Sequence, residues 1–284
     1  MSKPDIDAAA QFIARSARVL DRRRFDRLFG GGPAGPVRDA VAAYRNPDGG
    51  FGHALEPDGR SPGSQPAAIE LGLRILDGAD AWDADLVEGA CDWLGANAPA
   101  EGGAVFVEPS VQGWPHAPWW APTPGRAPSL VSTGQIAGTL HKRGVSHPWL
   151  DRATELLWSL IGELDDPGPY DLRGALRFLD HVPDAGRARQ ALATVKPMVD
   201  SVVTLDPRAP GETHSPLDFA PEPGTRSREL FSPDVIEAHL DHLAASQQED
   251  GGWMFNFPVW CAATELDWRG HITVDVLRIL RAHR

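Results

Sequence analysis

Cysteine is scarce in this chain. Its 284 residues hold two, Cys91 and Cys261, and neither belongs to a Cys-x-x-Cys pair. The first residues, Met-Ser-Lys-Pro-Asp-Ile-Asp, lack the apolar core of a signal segment. Together these features predict a cytoplasmic protein with reduced thiols. Positive charge is also in deficit: 27 Lys and Arg face 39 Asp and Glu, a net charge of −12. That excludes the basic face that nucleic acid or an anionic membrane surface would need. The one basic run, Arg22-Arg23-Arg24, reads as a solvated helix end. No segment reaches the ~18 apolar residues of a membrane span. Strand-like alternation is missing, so the chain reads as all-α. There is no P-loop, no GxGxxG and no nucleophile elbow. Nothing implies a cofactor or a resident metal, and nothing sets an oligomeric state.

Glycine (29) and proline (26) are abundant and clustered, and the clusters divide the chain. Apolar residues at three- and four-residue steps predict a helix over 5–28, ended by Gly30-Gly31-Gly32-Pro33. Pro36 suits the first turn of a helix through Tyr44. Further helices are predicted from Pro66 to about 77 and after Asp83, which can cap one that carries Leu86, Val87, Ala90, Trp93 and Leu94. Others cover 132–143, 148–162, 169–181, 184–204 (interrupted at Pro197), 232–246 and 270–282. That makes ten or eleven helices. Two long proline-rich loops, 97–128 and 205–231, separate them. The tryptophans of the first argue against disorder.

An acid followed by two glycines recurs at Asp48-Gly49-Gly50, Glu101-Gly102-Gly103 and Asp250-Gly251-Gly252. The spacings are close to one and three units of about 50 residues. Downstream, Glu56–Arg60, Glu222–Arg226 and Glu265–Arg269 all read Glu-x-x-x-Arg, and Pro122–Arg126 keeps the arginine. Each arginine precedes a helix. The repeating unit is therefore a turn, an irregular arm, an arginine brace and a helical hairpin. Hairpins sharing a core close into a ring or extend as a solenoid.

Leu240 to Trp253, with Gln247-Gln-Glu-Asp-Gly-Gly-Trp253 at its end, resembles the QW repeat of squalene–hopene cyclases. It is also similar to the DGGF and DGGW turns of protein prenyltransferase β-subunits, and Asn46 to Phe51 is a second match. The resemblance implies the terpenoid-cyclase and prenyltransferase superfamily. It further implies one α/α-toroid domain over 1–284, of about five units, with Pro/Gly/Trp-rich loops at one mouth. In that family the Gln and Trp of the repeat staple neighbouring outer helices, and Gln247 and Trp253 are expected to do the same. The resemblance also implies an apolar, isoprenoid-type small-molecule ligand in a central cavity.

Candidate chemistry falls on the arms. The Asp-x-Asp-Asp acid of class II cyclases is missing; its nearest echo, Glu163-Leu-Asp165-Asp166, reads as a surface turn. Cys261, Asp267 and His271 supply the atom types of a prenyltransferase zinc site without a zinc spacing. Glu56, Glu222, Glu265 and Asp267 are the candidate acids, since burial could raise a carboxyl toward proton-donor range. His53 and His271 join them as candidate bases. Trp114, Trp119, Trp120, Phe255, Phe257, Trp260 and Trp268 could stabilise a cation or stack on sugar rings. Arg60, Arg126, Arg226 and Arg269 brace the arms or meet the ligand. Three functions stay open: an isoprenoid enzyme, a carbohydrate-active toroid using paired carboxylates, and a binding toroid without catalysis.

Overall fold

The computed structural model describes residues 3–283. Among the described residues the chain forms twelve α-helices, three short 3-10 turns and no named strand. No helix is long and apolar enough to cross a membrane. The helices are α1 (Ile6–Ser16), α2 (Val19–Phe29), α3 (Gly35–Ala42), α4 (Pro66–Gly78), α5 (Ala84–Ala96) and α6 (Leu130–Lys142). They continue as α7 (Pro148–Gly162), α8 (Pro169–His181), α9 (Ala185–Val202), α10 (Pro216–Phe219), α11 (Pro233–Ala245) and α12 (Ala262–Ala282). Contacts gather the chain into two compact units. One runs Val41–Ser201; the other joins the two ends of the chain, up to Ala40 and from Val202 onward.

Local sequence explains most boundaries. Asp5 and Asp83 accept the N–H groups of Ala8 and Leu86 and so start α1 and α5. Proline opens α4, α7, α8 and α11, where its missing N–H costs nothing. Three expectations need correction. The predicted helix over 5–28 is two, because Ala17 and Arg18 are extended, with ψ of 158° and 156°. Periodicity spans this break because Ala17 and Leu20, on either side of it, are both buried and three residues apart. Helix α9 passes through Pro197 instead of stopping there. Helix α12 begins at Ala262, eight residues before the predicted start, so Glu265, Asp267, Trp268 and Arg269 are helical residues rather than arm residues.

In the middle unit, α6 and α8 meet backbone to backbone. A Cβ on Gly134 would fall 2.3 Å from the Gly174 carbonyl oxygen, and one on Gly138 would fall 2.4 Å from that of Arg177. Such contacts need glycine, since real Cβ atoms do not approach so closely. Leu71, Leu73, Leu76, Ile136, Leu140, Leu172, Leu176 and Phe178 make up much of this core. In the unit formed by the chain ends, Phe12, Ile13, Ala17 and Val274 form one buried cluster, with Phe25 and Leu28 against it.

The three glycine turns are alike at their first glycine and differ at the second, which is left-handed only at Gly103, with φ of +69°. Their first glycines have φ of +91° (Gly49), +97° (Gly102) and +91° (Gly251), the left-handed region that disfavours other residues. Each lies against the backbone of a helix. A Cβ on Gly49 would be 2.6 Å from the Gly89 carbonyl oxygen of α5, and one on Gly251 would be 2.2 Å from that of Ala8 in α1. Gly102 sits more loosely, 3.8 Å from that of Arg152 in α7. The second glycine then faces a large side chain one helical turn on: Trp93, Leu156 and Phe12 in turn. Gly89 and Arg152 follow their turns in the chain, whereas Ala8 belongs to its opposite end.

Candidate functional site

In the middle unit the arms after the first two turns are tied to each other. Gly59 and His116 form an isolated bridge, the Arg60 N–H donates to Pro115 and the Ala117 N–H donates to Asp58. The Asp58 side chain is buried and accepts the Trp119 indole N–H at 3.0 Å. That bond fixes the ring while leaving Trp119 40% exposed, and Trp114 beside it in sequence is 49% exposed. Trp120 turns inward instead, edge-on to Phe106 and against Gly59. Glu56 is half-buried and accepts the Asp58 N–H.

Arg126 does reach back across an arm, but to Glu108. Both its terminal nitrogens donate to that carboxylate, at 2.6 and 2.9 Å, and one also donates to Asn97 O. This is the bidentate fork that guanidinium geometry favours. No sequence spacing announces Glu108, because an irregular arm has no period to read.

Behind the first turn lies a polar network that the sequence reading missed. Asp48 accepts from the Gly50 N–H, the Ser64 hydroxyl and the Trp93 indole. Asn46 donates to Ser64 Oγ and Pro62 O, and its Oδ1 lies 2.9 Å from His53 Nε2. His53 and Ala54 both adopt positive φ, 55° and 60°. His53 is exposed at the rim of this network, clear of the buried acids Asp58 and Glu108.

In the unit formed by the chain ends, the second half of the C-terminal motif builds an aromatic ladder. Phe255 stacks on Phe257 at 4.3 Å, Phe257 meets Trp268 edge-on at 5.3 Å, and Trp268 meets His271 edge-on at 5.7 Å. Such offset and edge contacts suit the ring quadrupoles. Trp260 is half-buried, and its indole N–H is buried without a hydrogen-bond partner. Glu265 and Asp267 are half-buried on α12.

The ladder ends on a buried ionic cluster. Arg24 donates to Asp21 at 2.9 Å, to His271 Nδ1 at 2.8 Å, and also to Asp275. A guanidinium has no lone pair to offer, so Nδ1 must accept. The other ring nitrogen, Nε2, faces Asp275. That nitrogen lies 3.1 Å from Asp275 without hydrogen-bond alignment. Burial pushes the Asp21 carboxyl up, but Arg18 and Arg24 outweigh it and hold the group far below the usual carboxylate range. His271 Nδ1, at 3.8 Å from Asp21, is too far to share a proton with it. His271 is 1% exposed, so the structure makes it part of this clasp rather than a base at a surface.

The remaining candidates have local partners. Arg269 turns to Asp250 at 2.8 Å, not to Glu265, and lies 4.6 Å over the Phe12 ring. Arg269 thus reaches back across the turn, and its partner is the aspartate of the turn itself rather than the glutamate four residues before it. Glu222 stands 3.9 Å from Arg278 on α12, and Arg226 is half-buried at the start of a 3-10 turn. Cys261 Sγ contacts the Thr264 hydroxyl at 2.9 Å. Among the described residues no three His, Cys, Asp or Glu converge to hold a metal. Burial, with Asp92 and Glu88 nearby, pushes the Cys91 thiol up to about 12, which makes it unreactive. Glu163, Asp165 and Asp166 are exposed on a turn, with Asp166 at positive φ. A shallow depression of about 410 Å³ lies beside the third turn, lined by Gln248, Glu249, Asp250, Met254 and Arg269.

Fold and site define an all-α protein whose aromatic arms are held by glycine turns and ion pairs. No family model and no curated protein matches the chain. A crystal structure of a protein from Actinoplanes is similar to it, covering 99% of this chain and 91% of that one with a TM-score of 0.57 at 16% identity. At that identity the likeness shows the fold alone.

Proposed function

We propose that the chain is an α/α-toroid of the terpenoid-cyclase and prenyltransferase kind, about five hairpins closed into a ring. Its arms bind an apolar, isoprenoid-type ligand through aromatic faces, without the superfamily's proton-initiated chemistry. The ring reading draws support from the three glycine turns, each covered by a helix, the last of which receives its helix from the other end of the chain. The ligand reading rests on one observation: the arms present fixed aromatic rings while their acids hold the protein's own donors. Asp58 takes an indole N–H, Glu108 a guanidinium and Asp250 another. A carboxyl satisfied in this way is a poor proton donor to an alkene.

A carbohydrate ligand is the second reading, favoured by the exposed, hydrogen-bonded ring of Trp119. The test is to titrate the protein with farnesyl and geranylgeranyl diphosphate, squalene and a set of neutral oligosaccharides. Tryptophan fluorescence reports binding and mass spectrometry reports products. We expect polyene binding, at least tenfold weaker in Trp119→Ala, with no product. Product that disappears in Glu265→Gln would establish an enzyme instead, and binding of sugars alone would establish the second reading.

A further inference from the structure

The third turn differs from the other two in how its helix arrives, and this difference carries an inference independent of the ligand. In the middle unit, α5 and α7 lie downstream of the turns they cover. At Gly251 the same place is filled by α1, from 242 residues away. The fit is close along the whole helix. Ala8 meets Gly251, Phe12 meets the Gly252 position edge-on, and Ala17 would stand 2.8 Å from a Cβ on Gly270 of α12. Ala9, Phe12, Ile13 and Ala17 are all buried, at spacings that put them on one face.

At the first two turns the covering helix reaches the turn with its own indole, Trp93 to Asp48 and Trp149 to the Gly103 carbonyl; at the third, side chains of the turn and of α12 reach the helix instead. Gln247 accepts the Asp5 N–H at 2.7 Å and donates to the Asp5 carbonyl at 2.8 Å, as a paired backbone strand would. The same amide donates to Gly251 O at 2.9 Å. Arg269 covers the Phe12 ring while bonded to Asp250. Just beyond, Ala17 and Arg18 leave helical geometry and end α1 before α2 begins.

We infer that the third turn and α12 form a helix-binding groove, and that its occupant, the segment Lys3–Ala17, is a latch held there by packing and side-chain bonds and tethered to the rest of the unit only through Arg18. The groove recognises a helix with alanine at the turn contact, an aromatic four residues later and a cap residue whose backbone N–H and C=O can both meet a side-chain amide, the C=O while it also accepts the Ala9 N–H. A second copy of that segment fits it equally well.

The test uses full-length chains and a labelled peptide of residues 3–17. Phe12→Asp removes the anchor of the chain's own latch and leaves the groove intact. The peptide is expected to bind this variant one to one and to raise its melting temperature. Binding should be at least tenfold weaker to the wild type, whose groove is occupied, and to a Phe12→Asp/Gly251→Val double variant. Equal binding to all three chains, or none to a Phe12→Asp chain that keeps its helical circular dichroism, would overturn the inference. Hydrogen exchange on the folded wild type gives a second arm that needs no disruptive variant. The amides of residues 9–16 should open as one group ahead of global unfolding, and Gln247→Ala should speed them at least tenfold with α6 and α8 unchanged. Exchange of α1 only at the global rate in both proteins would also overturn it.

Discussion

The turns at Asp48 and Asp250 share a sequence, a left-handed glycine and an aspartate that accepts the N–H two residues on. They are fastened differently. Asp48 takes two neutral donors, the Ser64 hydroxyl and the Trp93 indole, both delivered by the chain that follows it. Asp250 takes a guanidinium, and a glutamine amide does the rest by gripping the backbone of α1. Where the covering helix follows in sequence, the connection limits the space it must search, and neutral donors of the following chain complete the site, as Trp93 does at Asp48 and Trp149 at the Gly103 carbonyl. Where it comes from the far end of the chain, loop closure costs more and directed side-chain bonds offset it. Each unit also buries one aspartate among cations, and these differ in the same sense. Asp21 is sealed between Arg18 and Arg24, whereas Asp77 meets Lys142 and Arg143, whose side chains keep 30% and 26% of their exposure.

The largest effect should come from the sealed aspartate. Asp21→Asn leaves two buried guanidiniums short of charge and should cost about 3–5 kcal/mol in urea unfolding. Asp77→Asn should cost about 1–2 kcal/mol, because water and salt screen its partners. Equal losses would break the comparison. The acid response follows from the directions of the shifts. Burial pushes both carboxyls up, but the surrounding cations outweigh it and hold both below their ordinary value of 3.8. A lowered folded pKa means that the stabilisation is complete above the unfolded value and is lost as pH falls through the folded one. Both contributions should therefore be intact near neutrality. Below about pH 4 that of Asp77 should fade first and that of Asp21 last. Melting temperatures of the two variants and the wild type between pH 7 and 2 would check the order.

Next in size are the glycines. Alanine at Gly251 or Gly49 adopts a disfavoured φ and strikes a carbonyl oxygen, for about 2–4 kcal/mol in either case. The middle-unit helix cannot leave, so Gly49→Ala should lower global stability only. Gly251→Ala should in addition release α1, seen as early proteolysis within residues 3–18. Early cleavage in both variants, or in neither, would remove the distinction between a connected helix and a latched one.

The turns were legible in the sequence because their requirement is local. An acid followed by two glycines fixes both the left-handed φ and the aspartate's bond to the N–H two residues on. Helix identities followed from spacing, since apolar periodicity registers which face is buried. What was not legible has a physical reason in each case. The break at Ala17–Arg18 leaves Ala17 and Leu20 both buried and three residues apart, so periodicity passes over it. The early start of α12 was hidden because the arginine spacing shared with the other arms pointed to an irregular segment, whereas here the segment is helical from Ala262 and Arg269 meets Asp250 across the turn. The pairing of Arg126 with Glu108, and the Arg24–His271–Asp275 clasp between residues nearly the length of the chain apart, arise only from tertiary approach. His271 looked like a free base because a sequence does not reveal which atom will occupy its lone pair.

A smaller effect is expected from the neutral donors of the first turn. Ser64→Ala removes one hydrogen bond to Asp48 and one partner of Asn46, and should cost about 1 kcal/mol. Trp93→Phe, which keeps most of the ring against Gly50, should cost a similar amount. Because both donors serve one carboxylate, the double variant should depart from additivity by about 0.5 kcal/mol or more. Additive losses would show that the two bonds act separately.

The smallest effect tests the opposite fastening. Asp250 is nearly half exposed, so its bond to Arg269 is screened and Asp250→Asn should cost about 0.5 kcal/mol or less. The Arg269 hydrogen bond holds this carboxyl below its ordinary value, so the contribution should be present at pH 7 and fade below about pH 4. It should also shrink in 1 M salt, where the Debye length falls to about 3 Å. Arg269→Lys keeps the charge but loses the flat face over Phe12 and the second N–H donor that reaches the Trp253 carbonyl. It should therefore cost more than Asp250→Asn, in a component that salt does not remove. Equal, salt-sensitive losses for both would reduce Arg269 to a simple ion-pair partner. A larger, salt-resistant loss for Arg269→Lys would assign its main role to covering α1 and leave the charge as the lesser part of the fastening.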